Sequence, residues 1–236
     1  MNSPTFLRSL RRYGFIIILC VSLLPLLAQE HYLADGQPDV AALLPPPPLP
    51  GSPEQAADMQ EVRMVSRNAP SNDVAVAFTE KEFSIFNFTP AIGDFFQPGK
   101  FPKTEVFFER VQKQAESVTD QAKDYYKRPR PYDFDARVQP CVKKSKSFSY
   151  PSGHATSGTA QAVILANMVP EKKDAILARG MGYSENRVVG GVHYQSDIVS
   201  GEKAGVLLAS ELLRDEAFKA DYEKAKAELR GVLGLK

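Results

Sequence analysis

The chain has 236 residues, 43% hydrophobic and 24% charged, which is enough apolar side chain for a packed core and excludes wholesale disorder. Its 29 basic residues nearly balance 28 acidic ones, and a formal net charge of +1 excludes the strong basic excess of a general nucleic-acid binder. There are only three histidines and two cysteines, so the context of each histidine carries information.

The N-terminus reads as a secretory leader. Arg8, Arg11 and Arg12 form a positive region, and an apolar run from Gly14 to Leu27 follows, interrupted only by Ser22 and Pro25. Ala28 is the expected cleavage position, and an uncleaved N-terminal anchor is the alternative. The run is short against the roughly 20 residues of a membrane span, so membrane contact is expected only through this leader. Arg11-Arg12 fits a twin-arginine leader poorly in its flanks, and Cys20 lacks the small residues that precede a lipoprotein site. Removal of residues 1–28 takes away three arginines, and the mature chain would carry a formal charge of −2. It would keep one cysteine, Cys141, so no internal disulfide is available and a buried, inert thiol is expected.

Residues 29–51 form a polar and then Pro-rich arm, ending in Leu44-Pro45-Pro46-Pro47-Pro48-Leu49-Pro50, which favours polyproline II. A helix follows at once. Ser52 as N-cap, Pro53 at the first position and Gln55 at the third form a capping box, and the helix should run to about Arg67, ahead of Pro70. A second helix is predicted over about Ser71 to Phe83, and a buried irregular loop over residues 84–103. Thr104 is expected to cap a long helix that runs to about Lys127 and stops at Pro129 and Pro131. Val106, Phe107, Val111, Ala115, Val118 and Ala122 recur along it at helical spacing and predict its core face.

Residues 132–150 read as a loop with a basic cluster, Lys143, Lys144 and Lys146. Helices are predicted from Pro151 to Asn167, Glu171 to about Tyr183, Asp197 to Arg214 and Asp215 to Leu235. No run of alternating β-branched residues and no internal repeat is present. The expected fold is all-α, a single-domain helical bundle over residues 52–236.

Three segments carry chemistry together. Lys123 is followed after six residues by Arg130-Pro131; Pro151-Ser152-Gly153-His154 opens a helix; Arg187, His193 and Asp197 follow with gaps of five and three. Each alone is weak: Lys123 by itself reads as an exposed helix-end charge, Ser152 as an N-cap with no ligand, and Arg187 with Asp197 as a surface ion pair. Lys127 and Arg128 are expected to be solvated.

Together they describe an anion pocket. Arg130 and Arg187 offer planar forks for phosphate oxygens, and Lys123 adds a compact charge. Ser152 and Gly153 sit at a helix start whose N–H groups and dipole favour an anion, and glycine permits close backbone approach. His193 and Asp197, four apart, share a helix face if the helix begins there, so the carboxylate can take one imidazole N–H and leave the other nitrogen free to attack. The sequence leaves open which histidine attacks; the aspartate partner favours His193.

This tripartite pattern resembles the type 2 phosphatidic acid phosphatase superfamily, which also holds the vanadium haloperoxidases. Within it, the LPPPP arm, the Ser-Tyr-Pro-Ser-Gly-His run and the Gly-Val-His-Tyr-Gln-Ser-Asp run are most similar to the bacterial class A non-specific acid phosphatases. The resemblance spans essentially the whole mature chain. It implies a helical bundle of that type and a periplasmic or secreted enzyme acting on small phosphomonoesters with broad specificity, with phosphotransfer to alcohols as a further activity and homo-oligomers common among relatives. It implies His193 as nucleophile through a phosphohistidine, and His154 as the acid that protonates the leaving alcohol and the base that activates water. An unperturbed histidine titrates near pH 6.5, so a mildly acidic optimum is expected. The family's usual Ser before the third-segment arginine is Asn186 here, which marks one wall of the pocket as different.

Rival readings are a vanadium haloperoxidase, a lipid phosphate phosphatase and a phosphate-binding protein without turnover. A metallohydrolase built on His154, His193 and Asp197 is disfavoured, because Lys123, Arg130 and Arg187 would repel a metal cation while attracting phosphate. No metal and no cofactor are expected.

Overall fold

The computed structural model describes residues 31–80 and 82–235. The predicted leader, residues 1–28, lies outside them. The described residues are helical, with no strand among them. In chain order they form α1 (Val40–Leu43), α2 (Pro53–Asn68), α3 (Ser71–Thr79), a 3₁₀ turn at Ile85–Phe88 that runs into α4 (Thr89–Ile92), α5 (Pro102–Tyr126), α6 (Pro131–Phe134), α7 (Gly153–Met168), a 3₁₀ turn at Pro170–Lys172, α8 (Lys173–Val189), α9 (Gln195–Leu212) and α10 (Glu216–Leu233).

The centre of the bundle is α7. It is apolar on nearly every side, and Ala155, Ala160, Ile164, Leu165 and Met168 are all buried, as a helix enclosed by others must be. Helices α5, α8 and α9 pack around it, and α10 covers α5. The α7–α9 crossing is close because α9 carries glycine where it meets α7. A Cβ at Gly201 would lie 2.5 Å from the Ser152 carbonyl oxygen, and one at Gly205 2.6 Å from that of Thr156. Two apolar clusters result. The larger joins α5, α7, α9 and α10; the smaller, with Met59, Val62, Tyr132, Val192, Tyr194 and Ile198, joins α2 to the start of α9.

Residues 31–50 lie along α5. Gln114 accepts from the N–H groups of Tyr32 and Leu33, Tyr32 packs on Phe107 and Phe218, and the Tyr126 hydroxyl donates to the carbonyls of Ala41 and Leu44.

Several expected boundaries shift. The helix expected to begin at Thr104 begins at Pro102. Thr104 lies inside it and donates its hydroxyl to Glu228 at 2.8 Å, a partner 124 residues away. Val106 is 59% exposed and Phe108 takes its place in the core, because the buried stripe runs through Phe107, Phe108, Val111, Ala115, Val118 and Ala122. Helix α3 ends at Thr79, short of Phe83. Helix α8 runs on past Tyr183 to Val189, which puts Arg187 in its last turn. Cys141 is half-buried, not enclosed, and packs against the smaller cluster.

Candidate active site

Each functional side chain stands at a helix end. Lys123 is in the last turn of α5, which closes on Lys127 in a left-handed conformation at φ 49°. The following prolines hold the chain extended, so Arg130 becomes the N-cap of α6. Ser152 is the N-cap of α7 and its hydroxyl accepts from the Ala155 N–H at 3.3 Å. His193 precedes α9, and Asp197 in its first turn accepts from the Tyr194 N–H at 3.0 Å. These ends converge on a cavity of about 470 Å³ lined by Lys123, Arg130, Gly153, His154, Arg187 and His193.

His193 is buried and fixed from both sides. Its Nδ1 faces Asp197 Oδ2 at 3.2 Å and its Nε2 faces Arg130 Nη1 at 3.0 Å. A carboxylate accepts only and a guanidinium donates only, so the pair of neighbours selects the neutral tautomer with the proton on Nδ1 and the lone pair on Nε2. Burial, then the charges of Arg130, Lys123 and Arg187, holds the His193 pKa well below the ordinary histidine value. Asp197 is fully buried. Burial pushes its carboxyl up, against the pull of Arg128, the Ser149 hydroxyl and the Tyr194 N–H.

The cations are also buried. Arg130 is held by the carbonyls of Ser147, Phe148 and Val192 and by the Ser147 hydroxyl. Arg187 donates to the Ala77 carbonyl at 2.8 Å, and its Nε is buried without a protein acceptor. Lys123 Nζ has Asp120 at 3.5 Å, and burial lowers its pKa. A Cβ at residue 153 would lie 3.3 Å from Lys123 Nζ, so glycine at the start of α7 leaves the ammonium its place. His154, in the first turn of α7, lines the same cavity as His193, and its ring stacks on Tyr183 at 5.6 Å with 20° between planes.

Six of the eight predicted site residues line the cavity. Ser152 and Asp197 lie beneath it: the Ser152 hydroxyl is a helix cap, and the Ser152 N–H donates to the Asp197 carbonyl at 3.0 Å. Two expectations need correction. Arg128, expected in solvent, is 5% exposed and binds Asp197, Asp58, Gln55 and Ser196; its partners are about 70 residues away in sequence, which hid the role. Asn186, expected at the pocket wall, does not line the cavity; its Nδ2 donates to Glu80 Oε2 at 2.5 Å. The cluster of Lys143, Lys144 and Lys146 lies at the cavity rim.

Among the described residues no group of three or more His, Cys, Asp or Glu side chains is placed to hold a metal ion. The lining has six cations, three of them buried (Lys123, Arg130 and Arg187), against the three acids Glu82, Glu116 and Asp120, and with a helix start and two imidazoles it suits an anion with a transferable group. No helix among the described residues is long and apolar enough to cross a membrane.

The PAP2 superfamily model matches residues 114–219. The non-specific acid phosphatase of Providencia stuartii is 32% identical over 216 residues, 84% of each chain. The acid phosphatase of Zymomonas mobilis is 31% identical over 81% of this chain and 75% of its own. Among solved structures, a bacterial vanadium-dependent iodoperoxidase matches with a TM-score of 0.57 at 18% identity, over 75% of this chain and 54% of that one. A PAP2-type phosphatidylglycerolphosphate phosphatase from Bacillus subtilis matches with a TM-score of 0.52 at 23% identity, over 78% and 91%. At these identities the two share the helical fold.

Proposed function

The chain belongs to the PAP2 superfamily, whose non-specific acid phosphatases it matches over most of its length, and on that footing we propose that it hydrolyses phosphomonoesters without a metal, through a phosphohistidine on His193. The observation that carries this reading is His193 itself: a buried imidazole, oriented by Asp197, facing a cavity walled by Lys123, Arg130 and Arg187.

The three cations and the α7 start hold the phosphate and stabilise the charge on its equatorial oxygens. His193 Nε2 attacks phosphorus; the ester P–O bond breaks as the P–N bond forms. The leaving alkoxide takes a proton from His154 and departs as the alcohol. His154, now neutral, removes a proton from water, whose oxygen attacks phosphorus and displaces His193, giving inorganic phosphate. Asp197 keeps the proton on Nδ1 throughout, and the cations at His193 favour its neutral form in mildly acidic solution.

The order of charge and hydropathy in residues 1–28 supports export from the cytoplasm. The named phosphatase relatives favour hydrolysis over peroxidase chemistry. The test is a panel of aryl phosphate, nucleotides, sugar phosphates and phosphatidate, run across pH with a chelator present. Turnover of the small esters, best below neutrality and unaffected by chelator, is expected. Loss of activity on chelation would overturn the metal-free reading, and hydrolysis confined to phosphatidate would overturn the substrate class.

A further inference from the structure

We infer that Arg128 is a positioning residue of the phosphoryl transfer: Gln55 and Asp58 of α2 hold its guanidinium against Asp197, and Asp197 in turn holds His193. The inference rests on the reading of His193 as nucleophile.

Arg128 lies on the short extended link between α5 and α6, one residue before the proline that precedes Arg130. Its two terminal nitrogens serve different partners. Nη1 donates to Asp197 Oδ1 at 2.6 Å and to the Ser196 hydroxyl at 2.7 Å. Nη2 donates to Gln55 Oε1 at 2.6 Å and to Asp58 Oδ2 at 2.7 Å. Its guanidinium carbon lies 3.9 Å from the centre of the Tyr194 ring. Asp58 reaches past it and accepts from both the backbone N–H and the hydroxyl of Ser196 in the first turn of α9. The result is a closed set of bonds joining α2, the α5–α6 link and the start of α9.

The division of labour on Asp197 is what makes Arg128 matter. Oδ2 receives the Ser149 hydroxyl, the Tyr194 N–H and His193 Nδ1. The other oxygen, Oδ1, receives Arg128. With Arg128 removed, Oδ1 is left buried and no longer anchored. The carboxylate then rotates or takes a proton, and His193 loses the fixed acceptor that keeps its proton on Nδ1. Arg128 does not line the cavity, so it contributes orientation rather than phosphate binding. A lysine keeps the charge but lacks the fork that bridges two pairs of acceptors. Gln55 and Asp58 lie outside residues 114–219, so this support comes from a part of the chain beyond the matched family region.

The experiment compares the wild-type chain with Arg128→Gln, Arg128→Lys and Asp58→Asn. It measures kcat and KM for an aryl phosphate, the inhibition constant of inorganic phosphate, and thermal unfolding. In Arg128→Gln, kcat should fall about 100-fold, the loss expected from misplacing a reacting group by about 1 Å. Phosphate inhibition should stay within about threefold, because the pocket cations are untouched. Arg128→Lys should recover part of kcat. A folded Arg128→Gln variant with wild-type kcat would overturn the inference. So would proportional loss of kcat, phosphate affinity and unfolding temperature in both arginine variants, the signature of a merely structural role. If Arg128→Gln does not fold, Asp58→Asn decides. A drop in kcat of about tenfold with unchanged phosphate inhibition supports the inference, and unchanged kcat overturns it. A wild-type chain that hydrolyses none of the esters refutes the parent reading instead.

Discussion

The backbone N–H of Ser152 donates to the carbonyl oxygen of Asp197 at 3.0 Å, and this one main-chain bond joins the two helix starts that carry His154 and His193. Each end is also capped: Ser152 caps α7 through its hydroxyl, and Asp197 accepts the Tyr194 N–H at the start of α9. His154 and His193, the acid and the nucleophile of the proposed reaction, therefore sit on elements whose separation is set by backbone, not by long side chains. That separation depends on how closely α7 and α9 approach.

Gly201 sets that approach, so Gly201→Leu should damage both stability and catalysis. Its Cβ alone would lie 2.5 Å from the Ser152 carbonyl and 2.8 Å from Ala155 Cβ, and backbone cannot swing aside as a flexible side chain can. Overpacking of this kind costs about 1–3 kcal/mol. Thermal unfolding should show the loss, and the folded fraction should have lowered kcat because the two histidines are pushed apart. Retention of wild-type kcat would show that the helix spacing does not set the reaction geometry.

The two histidines should fail differently. In the proposed mechanism His193→Ala removes the atom that bonds to phosphorus, so no phosphoenzyme should be trapped from any ester. His154→Ala leaves that atom in place but removes the proton donor. It should form phosphoenzyme from esters of acidic phenols and lose about 10²–10⁴-fold with alkyl esters, whose leaving groups need protonation. Trapping with labelled substrate, across leaving groups of graded acidity, separates the roles. A labelled adduct in His193→Ala would remove His193 from the attack.

The state of His193 also predicts how stability depends on pH. Burial and the neighbouring cations hold its folded pKa well below the unfolded value near 6.5. Between those two values the unfolded chain binds a proton that the folded chain does not, so stability rises with pH there. The contribution is fully present above about pH 6.5 and is lost as pH falls toward the folded pKa, at up to about 1.4 kcal/mol per pH unit. His193→Gln should flatten the acid side of a stability profile measured from neutrality downward. Parallel profiles for wild type and variant would contradict the depressed pKa.

The legible part of this site is the part written in local sequence. Pro53 and the caps Ser52, Ser152 and Asp215 mark helix starts within one turn of where they occur, whereas the long helix starts at Pro102 ahead of Thr104, and Pro131, legible only as a stop, also opens the one-turn α6. What escaped has distant partners. Thr104 has the composition of an N-cap, but its hydroxyl is taken by Glu228 of α10. Val106 is a different kind of miss: at 3.6 residues per turn it lies nearly opposite the stripe of Phe107, Val111, Ala115, Val118 and Ala122, while Phe108 lies at the stripe's edge and is buried. Arg128 looks like any charge beside a helix end. Its burial follows from Asp58 and Asp197, which no local pattern connects to it.

Asn186 is the sharpest case, because local reading and structure predict opposite phenotypes. As a wall of the pocket, a change to serine should alter KM. In the structure its amide donates to Glu80, a buried carboxylate that also pairs with Arg179, and the cavity is lined by its neighbour Arg187 instead. Serine is too short to replace that donor. Asn186→Ser should therefore cost about 1.5–3 kcal/mol, the usual value of a hydrogen bond to a charged group. In a domain of this size each kcal/mol shifts the unfolding temperature by about 2–4 °C. KM for an aryl phosphate should move by less than about threefold, since no group facing the substrate has changed. A large KM change with an unshifted unfolding temperature would return Asn186 to the pocket wall and place Glu80 outside the fold's supporting contacts.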